Sequence, residues 1–88
     1  MKSLIIIPTY NEAENIQKLL TKISELKLGN VDILVVDDNS ADGTSITVKE
    51  FASKTKLNRI FVLDRERKEG LGKAYVAGFK WALERKND

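Results

Sequence analysis

The chain has no cysteine and no histidine in 88 residues. Without thiols there are no disulfides, thiolate metal sites or cysteine nucleophiles, and without imidazole there is no Ser-His pair and no histidine metal ligand. Any metal or phosphate chemistry therefore has to use carboxylates, lysines, hydroxyls or backbone groups. Proline occurs once and tryptophan once, so the chain is not a proline-rich or low-complexity segment. Charge of one sign is also lacking. Lys plus Arg number 15 and Asp plus Glu 13, a net charge of +2, which supplies no footprint for nucleic acid. The apolar runs Leu4–Ile7 and Ile33–Val36 are four residues each, against about 18 for a membrane-spanning helix. The start, Met1-Lys2-Ser3 before one short apolar run, is too brief for a signal peptide. These features predict a cytoplasmic protein whose membrane contact, if any, is peripheral at the cytoplasmic face.

What is present is a globular composition, 42% hydrophobic and 32% charged, of a length that suits one domain or part of one. Three β-branched-rich runs, Leu4–Ile7, Ile33–Val36 and Ile60–Leu63, are continuous and not alternating, as expected of parallel strands covered on both faces. Between them lie helical patterns. Asn11 with Glu14 suggests a capping-box start, after which Ala13, Ile16, Leu19, Leu20, Ile23 and Leu26 keep helical spacing up to Gly29. A second helix carries Val48, Phe51 and Ala52 toward the core. Gly70–Gly72 opens a third, with Ala74, Tyr75, Gly78, Phe79, Ala82 and Leu83 at three-to-four spacing. The order βαβαβα predicts right-handed crossovers and a three-layer, Rossmann-like half domain, with a parallel sheet of order 3-2-1. Ligands of such sheets bind beyond the carboxyl ends of the strands, which directs attention to three segments.

Pro8-Thr9-Tyr10-Asn11-Glu12 places a rigid turn, an aromatic plate and a carboxylate at one strand end. Tyr10 can lie against a base or ribose, and Glu12 can accept from ribose hydroxyls. A plain strand-to-helix turn also accounts for these residue types. Asp37-Asp38-Asn39-Ser40-Ala41-Asp42-Gly43-Thr44 crowds three carboxylates into one loop, which needs a cation, donors or solvent to offset repulsion. Here Asp38 can accept N–H groups from a guanine or uracil edge and Asp37 can hold the loop through backbone donors. Asp42 and Thr44 read simply as the start of the next helix. An acidic pair after an apolar strand also suggests a receiver-like phosphoacceptor domain, but there the pair follows the first strand, and here it follows the second. Gly70-Leu71-Gly72 is a poor dinucleotide fingerprint because Tyr75 stands where the third glycine belongs. Arg65, Arg67, Lys68 and Lys73 can add positive charge near a diphosphate, or form a solvated loop with Glu66 and Glu69.

Taken together, Ile6-Ile7-Pro8-Thr9-Tyr10-Asn11-Glu12, Val35-Val36-Asp37-Asp38-Asn39-Ser40 with Asp42-Gly43-Thr44, and Gly70-Leu71-Gly72-Lys73-Ala74-Tyr75 with Gly78-Phe79 resemble family 2 glycosyltransferases. The last motif, running into Trp81-Ala82-Leu83, is similar to that of dolichol- and polyprenol-phosphate mannosyltransferases. The resemblance implies a GT-A fold with residues 1–88 as its N-terminal, nucleotide-sugar-binding part. It implies that Pro8, Tyr10, Glu12, Val36 and Asp38 line the nucleotide portion of a donor such as GDP-mannose. It further implies inverting transfer of mannose to a polyprenyl phosphate, and a divalent metal (Mg or Mn) in the complete enzyme. The family's metal-binding Asp-x-Asp is expected past Asp88, so this chain alone is expected to bind no metal, to hold no catalytic residue and to be inactive. Ser40-Ala41 stands where the family usually has Ser-Pro. The alternative is a non-catalytic nucleotide-binding or interaction module. A first strand without a partner on its far side, guarded only by Lys2, also suggests self-association.

Overall fold

The computed structural model describes residues 3–26, 31–55 and 59–85. Six elements follow in the expected order: β1 (Ser3–Thr9), α1 (Ala13–Glu25), β2 (Val31–Asp37), α2 (Thr44–Lys54), β3 (Arg59–Asp64) and α3 (Leu71–Arg85). The strands form one parallel sheet with β2 between β1 and β3, which is the 3-2-1 order. Because β2 is central, both of its faces are covered: Ile33, Leu34, Val35 and Val36 are at most 1% exposed. That double burial is why its apolar run does not alternate. Residues of opposite parity then serve opposite layers. Ile33 and Val35 pack with Ile16 and Leu20 of α1 and Val48 of α2, whereas Leu34 and Val36 pack with Ala74 of α3. The register aligns Thr9, Asp37 and Asp64 in one row at the carboxyl ends of the three strands, so the following loops start side by side.

Two local expectations need correction. The first is the α1 cap. Helix α1 begins at Ala13, its cap position is Glu12 with no side-chain capping bond, and Asn11 is left-handed at φ 52°, a conformation asparagine tolerates. The second concerns Tyr75, Phe79 and Leu83 on α3. Ala74 and Gly78 are buried and Trp81 packs against Phe61 at 5.1 Å between ring centroids, while Tyr75, Phe79 and Leu83 are 39%, 61% and 66% exposed. Small residues win the buried face because the helix lies close to the sheet. A Cβ on Gly78 would stand 2.8 Å from Ile6 Cγ2 and 3.4 Å from Val36 Cγ2. Gly29, the expected stop of α1, and Lys2 lie outside the described residues.

The close approach at Gly78 predicts an asymmetry between two helical glycines. Gly78→Val should lower stability by about 1–3 kcal/mol, since the branched side chain meets β1 and β2 atoms that cannot give way together. Gly72→Ala, where an added Cβ meets nothing within 4 Å, should be neutral or slightly stabilising. Urea midpoints of the two variants check this.

Candidate functional site

The loops after β1 and β2 are joined by side chains acting across about thirty residues of sequence. The Asp37 carboxylate accepts from the Thr9 hydroxyl at 2.7 Å, the Ser40 hydroxyl at 2.6 Å and the Ser40 amide at 2.9 Å. The Asn11 amide donates to Ser40 Oγ at 2.8 Å, and Asn11 Oδ1 accepts from the Ala41 amide at 3.0 Å. The first amides of α1, which have no partner inside the helix, are capped from the other loop: Glu12 N–H donates to Thr44 Oγ1 at 2.9 Å and Ala13 N–H to Asp42 Oδ2 at 3.1 Å. Asp42 and Thr44 therefore do more than start α2. Asp42 also accepts from its own loop, through the Thr44 amide at 3.0 Å and the Thr44 hydroxyl.

This lattice explains how three carboxylates coexist. Hydroxyls and an amide serve Asp37. Asp38, 4% exposed, faces the Arg65 guanidinium at 3.3 Å. Asp42 is held below the usual aspartate range, chiefly by the Thr44 hydroxyl and then by the Ala13 amide. Among the described residues no group of three or more histidine, cysteine or acidic side chains is placed to hold a metal. The receiver-like reading fails on strand order, since the acidic pair follows β2 and not β1.

Four of the five predicted donor-binding residues meet in one cleft of about 190 Å³ at the carboxyl ends of the strands: Pro8, Tyr10, Glu12 and Asp38, with Lys68, Gly70 and Leu71 opposite. Val36 does not line it. Its side chain is fully buried in the cluster containing Ala74, and Ala74 does line the cleft. The loop from Arg65 to Gly70 closes the far wall. Arg65 N–H donates to the Asp37 carbonyl at 2.8 Å, the Lys68 ammonium sits 4.4 Å from the centre of the Tyr10 ring, and Gly70 makes the turn into α3 at φ 96°. Glu69 binds Arg65 at 2.6 Å and Lys73 at 3.5 Å. Burial opposes the Glu69 carboxylate, yet these two cations leave its pKa below the usual value. A wider hollow of about 310 Å³ between the far ends of α1 and α2, lined by Ser24, Phe51 and Lys54 among others, contains none of the sequence motifs.

Thr9, Ser40 and the Arg65–Asp38 pair are the parts that sequence reasoning missed. The signal available for them was the aligned strand ends, which bring the residue after each strand into reach of its neighbours. The sequence reading of Arg65, a cation near a diphosphate or part of a solvated charged loop, does not include this pairing with Asp38.

Fold and cleft together define an α/β domain of the doubly wound kind with a cleft at the carboxyl ends of its parallel strands, where ligands of such folds bind. The chain belongs to glycosyl transferase family 2, whose family model matches residues 4–85. It is 45% identical over 84 residues to a polyprenol monophosphomannose synthase of Mycolicibacterium smegmatis, covering 96% of this chain and 31% of that protein. It is 44% identical over 88 residues to an undecaprenyl-phosphate mannosyltransferase of Micrococcus luteus, covering all of this chain and 35% of that protein. The chain thus spans about a third of the length of these relatives. Among solved structures it is similar to mannosyltransferase PcManGT from Pyrobaculum calidifontis in complex with GDP-Man and Mn2+, with a TM-score of 0.82, 26% identity, and coverage of 92% of this chain and 24% of that one. The fold is accordingly the N-terminal part of a GT-A domain.

The depressed Asp42 pKa gives a pH prediction. A carboxylate whose folded pKa lies below its unfolded value contributes stability above the unfolded pKa and loses it as pH falls through the folded one. Wild type should therefore be more stable than Asp42→Asn at pH 6, with the gap closing below about pH 4. Urea midpoints measured between pH 6 and pH 2 check it, and a gap independent of pH would contradict the capping role.

Proposed function

We propose that the protein transfers mannose from GDP-mannose, or a closely related nucleotide sugar, to a polyprenyl phosphate with inversion, and that this chain supplies the nucleotide half of the donor site. The observation that carries this reading is the convergence of Tyr10, Glu12 and Asp38 on one cleft at the strand ends. Asp38 takes base N–H groups. Tyr10 and Glu12 meet base or ribose, and Pro8 and the core around Val36 shape the floor. A phosphate acceptor is already an anion and asks for no strong general base, which agrees with a site lacking histidine. The main chemical demand is then stabilising charge on the departing nucleoside diphosphate. The divalent metal suited to that task belongs to residues beyond the acidic loop. The names of the relatives and the GDP-Man bound to the similar structure support the donor and the acceptor.

No helix among the described residues is long and apolar enough to cross a membrane. A lipid-linked acceptor then requires contact at the cytoplasmic membrane face, made peripherally or through other parts of the protein. Among the described residues β1 pairs with β2 alone, leaving the other edge of the strand open. We propose that a further strand covers it, and that residues 1–88 in isolation self-associate there. Sedimentation should show dimers or larger species. A dilute monomer would contradict this.

The functional test uses the full-length protein with GDP-mannose, a polyprenyl phosphate and magnesium or manganese. GDP release should depend on the lipid, and Asp38→Ala should weaken GDP binding by about tenfold or more, the effect of leaving base donors unpaired. Lipid-independent behaviour together with unchanged binding in the variant would reject the reading.

A further inference from the structure

Asp38 is bound in an unusual way for a buried carboxylate. Its Oδ1 lies 3.3 Å from Arg65 Nη1, yet both atoms are buried without a hydrogen-bond partner. Among the described residues its Oδ2 receives only a long 3.4 Å contact, from the Glu69 amide. A buried pair in this state is poorly satisfied, and Asp38 is the member that lines the cleft. Arg65, by contrast, is held at two points and is largely buried. Its amide donates to the Asp37 carbonyl, its Nη2 donates to Glu69 at 2.6 Å, and its side chain is only 13% exposed. A guanidinium fixed by its own backbone and by a second carboxylate is a rigid fork.

We infer that Arg65 is a positioning residue for base recognition, with Glu69 as its anchor. Arg65 covers Asp38 Oδ1 and fixes the rotamer of the carboxylate, so that Oδ2, weakly engaged in the empty cleft, is the atom that accepts a base N–H. The contact is charge-assisted and replaces a 3.4 Å contact with a bond of ordinary length. Arg65 thus acts through Asp38 and not on the diphosphate, which reverses the role its charge first suggests. The inference rests on the nucleotide-site reading above.

The test separates the two. Calorimetry on the full-length protein compares guanosine diphosphate with inorganic diphosphate, which shares the phosphates but has no base. Arg65→Met should weaken guanosine diphosphate about tenfold and leave inorganic diphosphate within about twofold. The double variant with Asp38→Asn should bind no worse than Asp38→Asn alone, the non-additivity expected of residues acting through one contact. Glu69→Gln, which keeps the Arg65 charge and disturbs a more exposed residue, should show a smaller loss of about threefold, confined to the nucleotide, and covers the case in which Arg65→Met fails to fold. Equal weakening of both ligands by Arg65→Met would overturn the inference in favour of direct phosphate binding. Wild-type affinity in Arg65→Met and Glu69→Gln, with loss in Asp38→Asn, would also overturn it and leave the nucleotide site standing. If wild type does not prefer guanosine diphosphate, or Asp38→Asn binds it normally, the nucleotide-site reading itself fails.

Discussion

A carboxylate 2% exposed to solvent has to find its donors inside the protein, and Asp37 finds three. Leaving such a group unsatisfied costs about 1–3 kcal/mol, more when it is charged. The Thr9 hydroxyl and the two groups of Ser40 are therefore held where Asp37 needs them. Thr9 closes β1, and Ser40 belongs to the loop after β2, so one acceptor fixes the relative positions of two strand ends and of everything attached to them. From Ser40 the constraint passes to the Asn11 amide. Asn11 returns it to Ala41, and the next two amides reach Thr44 and Asp42.

The candidate site is a by-product of that constraint. Tyr10 and Glu12 sit on the segment that Asp37, Ser40 and Thr44 pin down, and Asp38 is the residue after the hub, its own amide bonded to the Thr9 carbonyl at 3.0 Å. The β3–α3 loop is added to the same frame through the Arg65 amide on the Asp37 carbonyl. Three loops from three strands are thus referred to one residue, which holds an aromatic ring and two carboxylates around one cleft in a fixed arrangement. Each of these contacts is made by a side chain or amide at a strand end, so the sheet register is the deeper cause. The level row Thr9–Asp37–Asp64 brings the loops within reach.

The strands, their order and the helices between them were legible because the central strand has to be apolar on both faces and the helices on one. Ile33 and Val35 against Leu34 and Val36 carry that information in a four-residue run. The buried face of α3 was legible only in part, since Ala74 and Gly78 of the periodic set are buried while Tyr75, Phe79 and Leu83 are not, and the reason is physical. Leu71, Tyr75, Phe79 and Leu83 form one apolar stripe and Ala74, Gly78 and Trp81 another, and hydropathy favours the stripe that ends up exposed. Only the short distance between helix and sheet selects the small residues. The cap of α1 failed similarly, since Asn11 and Glu14 satisfy a local pattern while the bonds that form come from Asp42 and Thr44. That Pro8, Tyr10, Glu12 and Asp38 share one cleft could be read from their places at the strand ends. Arg65 could not be singled out within a loop of alternating charges, because its partner Asp38 lies 27 positions away in sequence.

The claim that one buried carboxylate organises both loops is tested most directly by amide hydrogen exchange on Asp37→Asn, which keeps the size of the side chain and removes its charge and half of its acceptor capacity. The account predicts that the amides of Asn11, Glu12, Ala13, Ser40 and Ala41 lose protection together, while those of Leu34 and Val35 in the sheet keep theirs. Loss confined to Ser40, or wild-type protection across both loops, would contradict it.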